Sequence, residues 1–159
     1  MFIKKIIFAE NKLNMMQINR PYKFIRPDDV FVKIHDDDAQ HAANREYLID
    51  FRQTDIELLN CFFKIIQKYC KPNCKQIAQQ MQLREDTLRH TIFALTGTNM
   101  HEWICSYVFL NSCEFLTRTN LPITKIAKRL GFSSCSNFTQ FFMRMQKFPP
   151  IEYRQNYRQ

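Results

Sequence analysis

Only two glycines occur in the 159 residues of the chain, and tryptophan occurs once. Loops that hold phosphate groups need several glycines close together, so the sequence disfavours nucleotide-binding loops of this kind. No apolar run approaches the ~18 residues of a membrane-spanning helix. The opening residues MFIKKIIFAE place lysines inside their apolar stretch, which is not how the core of a secretory signal peptide is built. We therefore expect a cytoplasmic protein without a membrane partner.

Six cysteines are present, but residues 1–49 contain none of them. Because nothing indicates export to an oxidising compartment, we expect reduced and mostly buried thiols. Cys70 and Cys74 could form half of a zinc site, yet no second Cys or His pair stands at zinc spacing. The acidic run at residues 36–38 is more typical of a solvated loop than of a metal site. The sequence thus predicts no metal, no cofactor and no catalytic residue, and a Cys–His enzyme is disfavoured.

Apolar residues are plentiful, and the charge is unevenly distributed. Hydrophobic residues make up 45% of the chain and include fifteen phenylalanines, enough for a sizeable core. Few glycines and six prolines favour an all-α chain. The net charge is +8, but residues 1–49 carry eight Lys and Arg against seven Asp and Glu, whereas residues 50–159 carry fifteen against eight. A basic excess confined to one part of a chain is the electrostatic footprint of nucleic-acid binding.

Residues 121–154 have the pattern of a helix-turn-helix unit. Apolar residues at i, i+3, i+4 and i+7 predict a helix with one buried face: Ile123, Ile126, Ala127 and Leu130. Gly131 is expected to end this helix in a left-handed conformation, and Ser133 or Ser134 to cap the next. The second helix would turn three phenylalanines inward (Phe138, Phe141, Phe142) and three polar residues outward (Asn137, Gln140, Arg144). Pro149 and Pro150 are expected to terminate it, with the tail beginning at Tyr153.

The same pattern occurs once more, 49 residues earlier in the chain. The corresponding positions are Ile77, Ala78, Met81 and Leu83 in the first copy and Ile126, Ala127, Leu130 and Phe132 in the second. Leu88 and Ile92 then match Phe138 and Phe142 after one inserted residue. A helix over residues 100–116 would connect two helix-turn-helix units and fix their spacing. The sequence therefore predicts an all-α domain over residues 50–159 that contains two such units.

Residues 1–49 form a short N-terminal segment with a weaker pattern. Two runs rich in β-branched and aromatic residues, 22–25 and 30–34, flank a turn-like Pro27-Asp28-Asp29. The segment is therefore expected to be irregular or to form a small β-hairpin, and the pattern assigns it no role. After it, Thr54 or Asp55 is expected to cap a helix that runs through Tyr69, with Lys71-Pro72-Asn73 as the terminating residues that follow.

A specific combination of residues connects this pattern to a known family. The residues are Ile126-Ala127, Gly131-Phe132-Ser133-Ser134, Phe138, Phe142, Pro150 and Tyr153-Arg154. Together they resemble the C-terminal signature of the AraC/XylS family of bacterial transcription regulators, and the resemblance extends upstream to about residue 55. It implies two tandem helix-turn-helix units that bind DNA. Four residues depart from the family pattern. Arg84 stands where a capping serine is usual, Gln82 where glycine often makes the turn, and Val108 where an arginine is common. Lys147 replaces a glycine before the terminal prolines.

The resemblance also implies which side chains meet DNA. By position in the family motif, the base-reading residues would be Asp86, Arg89 and His90 in the first unit and Ser136, Thr139 and Gln140 in the second. Arginine can bond a guanine edge through two hydrogen bonds, and glutamine suits adenine. Five basic residues are better suited to phosphates, which position a protein without reading sequence: Lys75, Lys125, Lys128, Arg129 and Arg144.

The predicted function is that of a sequence-specific DNA-binding transcription regulator in the bacterial cytoplasm. It would bind double-stranded promoter DNA through two recognition helices in adjacent major grooves, with RNA polymerase as a further partner. Residues 1–49 are too few for the β-barrel that binds effectors in many family members, so no small-molecule effector domain is evident. One alternative stays open, a helix-turn-helix module that binds another protein or antagonises another regulator. The acidic Glu85-Asp86 at the start of the first recognition helix favours it.

Overall fold

A computed structural model describes residues 26–34 and 39–158, and helices dominate this part of the chain. The helices are α1 (Pro27–Val30), α2 (Ala39–Asn44), α3 (Glu57–Tyr69), α4 (Cys74–Gln80), α5 (Glu85–Thr96), α6 (Met100–Arg118), α7 (Ile123–Arg129), α8 (Cys135–Gln146) and α9 (Pro150–Tyr157). Two short strands, β1 (Phe31–Lys33) and β2 (Ile49–Phe51), form one antiparallel pair. The predicted fold, two helix-turn-helix units joined by a long helix, is confirmed. None of the described helices is both long and apolar enough to cross a membrane.

Helices α4 and α5 form the first helix-turn-helix unit. Asn73 caps α4, because its side chain accepts a hydrogen bond from the Gln76 amide at 2.8 Å, while the Gln76 side chain accepts from the Asn73 amide at 2.9 Å. Ile77 and Ala78 are buried. The chain then turns through Gln82, whose φ is +55°, and the Leu83 amide donates to the Ala78 carbonyl at 2.9 Å. This left-handed turn directs the chain into α5.

Helices α7 and α8 form the second unit with the same turn. Gly131 has φ +76°, as predicted, and the Phe132 amide donates to the Ala127 carbonyl at 3.0 Å. Ser134 is the capping serine, since its hydroxyl accepts from the Asn137 amide at 3.1 Å. Phe138 and Phe142 are fully buried and Phe141 nearly so, which confirms the predicted inward face of α8.

Helix α6 connects the two units and extends two residues beyond its predicted end. An Asn99–Glu102 capping box begins the helix. Trp103 is fully buried, and its indole nitrogen donates to the Thr96 hydroxyl at 3.1 Å, which joins α6 to the end of α5. At the other end, Arg154 of α9 donates to the carbonyl oxygens of Leu116 and Leu121 at 3.1 and 2.7 Å. The connector is therefore held at both ends by hydrogen bonds.

The described part of the N-terminal segment packs against α6. The predicted hairpin partner, residues 22–25, lies outside the described residues, as does the acidic run at 36–38. Strand β1 instead pairs with β2, with Val32 opposite Asp50. The expected boundary between residues 1–49 and 50–159 falls within strand β2. The division of the chain into these two regions stays a prediction.

Side chains of α6 hold this small sheet through hydrogen bonds and an ion pair. The Asn111 side-chain oxygen accepts from the Leu48 and Ile49 amides at 2.7 and 3.2 Å. Glu114, whose side chain is only 8% exposed, pairs with Lys33 at 2.7 Å. The sheet and the connector thus share one core.

The predicted start of α3 is wrong, whereas its predicted end is correct. Neither Thr54 nor Asp55 caps α3, which begins at Glu57 after Ile56; the Thr54 amide bonds the side-chain oxygen of Asn60 instead, at 2.8 Å. The predicted last residue, Tyr69, is confirmed, and Cys70 follows it with a positive φ of +57°.

The two prolines do not terminate α8. That helix already ends at Lys147, which has φ +66° and donates its amide to the Met143 carbonyl at 2.7 Å. Pro149 and Pro150 instead begin α9, where a proline at the first helical position lacks only an N–H that would have no partner. The predicted tail is therefore a packed helix.

Candidate nucleic-acid interface

The exposed face of α5 carries the three predicted base-reading residues of the first unit. Asp86, Arg89 and His90 are all exposed, while Leu88 and Ile92 are fully buried on the opposite side. The spacing i, i+3, i+4 makes these three side chains neighbours on one face of the helix. The structure thus brings the three side chains together on one exposed face of α5.

Arg89 has a partner on its own helix that the sequence analysis missed. Its Nη2 lies 2.6 Å from Oε1 of Glu85, and its Nε donates to the same oxygen at 3.0 Å. The hydrogen bond to Glu85 raises the pKa of the Arg89 guanidinium. Because exposed ion pairs at i, i+4 contribute little stability, the guanidinium can leave Glu85 for a stronger acceptor. The i, i+4 spacing of opposite charges was the signal that could have revealed the pair.

The equivalent face of α8 carries the base-reading candidates of the second unit. Ser136 and Gln140 are exposed, whereas Thr139 is half-buried and so less accessible. Asn137 lies between them, is exposed, and donates from its side chain to the Ser133 hydroxyl at 2.8 Å. The three base-reading candidates of this face are uncharged, in contrast to Asp86 and Arg89 of α5, and Arg144 lies further along the same helix.

Four of the five predicted phosphate-binding residues are exposed cations: Lys75, Lys125, Lys128 and Arg144. Within residues 26–34 and 39–158, none of the four has a carboxylate at ion-pair distance. Their positive charge is therefore not neutralised locally, which is the condition for attracting a phosphate backbone.

Arg129, the fifth, is half-buried and has other partners. Its Nη1 donates to the carbonyl oxygens of Ala43 and Arg45 at 2.7 and 2.9 Å. Its guanidinium carbon also lies 5.3 Å from the centroid of the Phe115 ring. These contacts attach the end of α2 to α7, so Arg129 holds the N-terminal segment in place, and its phosphate contact stays a prediction.

Two clefts divide the predicted residues into groups. A cleft of about 690 Å³ between the units is lined by Lys75, Arg89, Gln140 and Arg144, together with residues of α6. A second cleft, of about 530 Å³, is lined by Lys125, Lys128 and Arg129. Because α5 and α8 both contribute to the first cleft, the inner sides of the two recognition helices face one shared space.

Five of the six thiols have a raised pKa, which makes them poor nucleophiles. Burial raises the pKa of Cys70 to about 12 and that of Cys113 to about 11. Burial also raises the pKa of Cys74 and Cys105, which line the first cleft. Thiols with raised pKa values stay protonated near neutral pH, and the thiolate is the reactive form. No cluster of three or more metal-ligating side chains occurs in the part of the chain that the structure describes.

Sequence comparisons agree with this geometry. A family model for a helix-turn-helix domain matches residues 77–156, about half of the chain. The ornithine utilization regulator of Pseudomonas aeruginosa is 30% identical over 84 residues, which are 53% of this chain and 24% of that protein. The chain thus spans about a quarter of the length of this relative.

Two solved structures have the same fold. The C-terminal domain of AraT, a response regulator from Geobacillus stearothermophilus, matches with a TM-score of 0.60 and 19% identity, covering 64% of this chain and 86% of that one. The DNA-binding domain of AdpA, a global transcriptional factor solved in complex with a target DNA, matches with a TM-score of 0.57 and 20% identity, covering 63% and 91%. At these identities the likeness establishes the fold.

Proposed function

We propose that this chain, which belongs to the AraC-type helix-turn-helix family of DNA-binding transcription regulators, binds promoter DNA as a single chain with α5 and α8 in adjacent major grooves. Its family and fold indicate a regulator rather than an enzyme. The observation that carries this proposal is that two polar helix faces are mounted on one connector. Helix α6 has 19 residues and is therefore about 28 Å long. Successive major grooves on one face of DNA are ~34 Å apart, so a connector of this length suits two adjacent grooves.

Each predicted contact has a role in this arrangement. Arg89 leaves Glu85 to bond a guanine edge, and Gln140 bonds an adenine. Asp86, His90, Ser136 and Thr139 complete the base-reading set. Lys75, Lys125, Lys128 and Arg144 bind phosphates, which fix the register of the chain on the duplex. The compartment that we propose for this activity is the bacterial cytoplasm.

Spacing between the half-sites tests the proposal. A bipartite site should first be selected from random DNA with the purified full chain, and versions with +5 and +10 inserted base pairs should then be compared by gel shift. A rigid connector predicts that +5 reduces binding to the non-specific level and that +10 does not restore it. Light scattering should find one chain per site. Recovery at +10, or two chains on one site, would contradict binding by a single chain.

Salt dependence separates DNA binding from the alternative of a protein-interaction module. Each phosphate contact should contribute roughly −0.9 to the slope of log K against log salt, because bound counterions are released. Four phosphate contacts therefore predict a steep loss of affinity between low and physiological salt. A chain that shows no DNA binding at low salt would instead favour the module, for which the Glu85–Arg89 pair is the supporting observation.

We propose RNA polymerase as a protein partner of the DNA-bound chain. Helix α9 supports this, because it exposes Ile151 and Tyr157, whose surfaces are 59% and 53% accessible. Exposed apolar side chains on a packed helix are available to a protein partner. RNA polymerase should therefore shift the chain–DNA complex further in a gel, and Ile151→Ser should reduce that second shift without changing DNA affinity.

A further inference from the structure

The cleft between the two units has an apolar floor that DNA binding does not explain. Ile104 and Val108 of α6 and Phe132 and Phe141 of the second unit form this floor. The volume of about 690 Å³ falls in the range of ~300–1,000 Å³ that is typical of sites for small organic ligands. We call this space the inter-unit cleft.

Positive charge stands at the edge of the inter-unit cleft. Lys71, just before α4, places its Nζ 3.8 Å from the centroid of the Phe132 ring, and Arg144 approaches from α8. Neither cation has a carboxylate within ion-pair distance among the described residues. Glu85 also lines the cleft, but Arg89 already neutralises its charge at 2.6 Å. The edge therefore has unneutralised positive charge beside an apolar surface.

The positive charges of Lys71 and Arg144 repel each other. Burial lowers the pKa of the Lys71 ammonium, and the Arg144 guanidinium acts in the same direction. An anion between the two side chains would relieve both effects. The apolar floor further selects the kind of anion, because a DNA phosphodiester has little apolar surface to place on Phe132 and Phe141, whereas an aromatic acid does.

We propose that the inter-unit cleft binds a small organic anion, a carboxylate or sulfonate on an aromatic body. Its charge lies between Lys71 and Arg144, and its rings lie on Phe132 and Phe141. Arg89 and Gln140 line the same cleft, so the bound anion occupies space between the recognition helices and competes with DNA. This competition rests on the proposed DNA-binding function, whereas the anion site itself does not.

A pair of fluorescent probes tests the anion site in the full chain. 8-Anilinonaphthalene-1-sulfonate carries one negative charge, and N-phenyl-1-naphthylamine has the same rings without it. Lys71→Gln with Arg144→Gln should weaken sulfonate binding at least about tenfold and change binding of the neutral probe by less than about twofold. The matched control is Arg52→Gln with Lys64→Gln, which removes the same two charge types from exposed residues outside the cleft. It should leave binding of both probes unchanged.

A second variant fills the cleft without removing charge. Cys105 is half-buried and lines the cleft, so Cys105→Phe places a ring where the probe's rings would lie. Sulfonate binding should fall at least about tenfold, although both cations stay in place. In the wild-type chain, sulfonate at ten times its Kd should weaken DNA binding about tenfold if the two compete for one site.

The possible results are distinct. Equal sulfonate binding by the wild type and by both cleft variants would place the probe elsewhere on the surface and overturn the anion site. Sulfonate binding in the cleft with unchanged DNA affinity would overturn the competition. A chain that binds the sulfonate in the cleft but binds no DNA at any salt would overturn the proposed function and leave the anion site supported.

Discussion

The two helix-turn-helix units place their glycines at opposite positions. Each unit needs a left-handed residue in the turn and another after the recognition helix. The first unit uses Gln82 in the turn, at φ +55°, and Gly97 after α5, at φ +70°. The second uses Gly131 in the turn, at φ +76°, and Lys147 after α8, at φ +66°. The fold therefore imposes the same backbone conformation whether or not the residue suits it.

The difference between the turns has a reason in the packing. A Cβ atom on Gly131 would lie 3.4 Å from the Cβ of Lys71, a residue of the loop that precedes the first unit. The second turn thus packs against another part of the domain. Gln82 is exposed, so its side chain can extend into solvent. Glycine is needed most where a left-handed residue also has a close neighbour.

The largest effect is expected from Gly131→Val. A β-branched residue at positive φ is strained by about 1–3 kcal/mol. The Cβ itself would be in ordinary contact with Lys71, and the two methyl groups of valine extend beyond it. We expect a loss of about 2–3 kcal/mol in the free energy of unfolding, measured by urea denaturation. Gln82→Val is the matched control in the first unit and should cost less than about 1 kcal/mol, because a side chain is already accommodated there. Equal losses would mean that Lys71 does not constrain the second turn.

The recognition helices provide a second test of how the units differ. Arg89→Ala should reduce discrimination at one base pair by about 1–2 kcal/mol, within the range of a bidentate contact, in a shift assay on a set of single-base variants. Glu85→Gln should increase discrimination at the same base pair, because it releases Arg89 from its ion pair. Lys128→Ala is the control and should weaken all sequences alike. If Arg89→Ala weakened specific and random DNA equally, Arg89 would be a phosphate contact.

Capping also differs between the units. Ser134 caps α8 through its hydroxyl, whereas Arg84 at the equivalent position before α5 makes no side-chain cap. Ser134→Ala should therefore cost about 1 kcal/mol of stability, and Arg84→Ser should add up to about 1 kcal/mol, both measured by urea denaturation. Ser133→Ala is the control, because it removes a hydroxyl that does not cap α8. It should reduce the free energy of unfolding by less than Ser134→Ala. A larger loss for Ser133→Ala than for Ser134→Ala would contradict the assigned cap.

Local patterns predicted the parts of this fold that depend on neighbouring residues. The repeated apolar spacing located both units. Turn and cap chemistry predicted Gly131 and narrowed the cap to Ser133 or Ser134, of which the structure selects Ser134. The pairing of β1 with β2 could not be predicted, because it joins residues on either side of α2 and depends on Asn111, some 62 positions later. The partners of Arg129 likewise lie 84 and 86 positions earlier. Contacts of this range leave no periodic signal in a single sequence.

In the candidate site too, local features could be predicted and long-range contacts could not. The recognition faces of α5 and α8 were located from the family motif, and the structure places five of their six residues in exposed positions. The Glu85–Arg89 pair was not predicted, although its i, i+4 spacing is a local signal. The inter-unit cleft could not be predicted, because Lys71 and Arg144 meet only when both units pack on α6.

The smallest effects are expected when glycine replaces the two left-handed residues that are not glycine, Gln82 and Lys147. A left-handed L-residue costs roughly 1–2 kcal/mol, and the freedom that glycine adds to the unfolded chain costs about 0.4–1 kcal/mol. Gln82→Gly should therefore stabilise the domain by roughly 0.5–1 kcal/mol in urea denaturation. Lys147→Gly should gain less, because it also removes a cation from the C-terminal end of α8, where the helix dipole favours positive charge by about 0.3–1 kcal/mol. The control is Gln79→Gly, an exposed residue inside α4, which should destabilise the domain by about 1 kcal/mol. Destabilisation by Gln82→Gly would show that the glutamine side chain contributes more than the strain of its backbone removes.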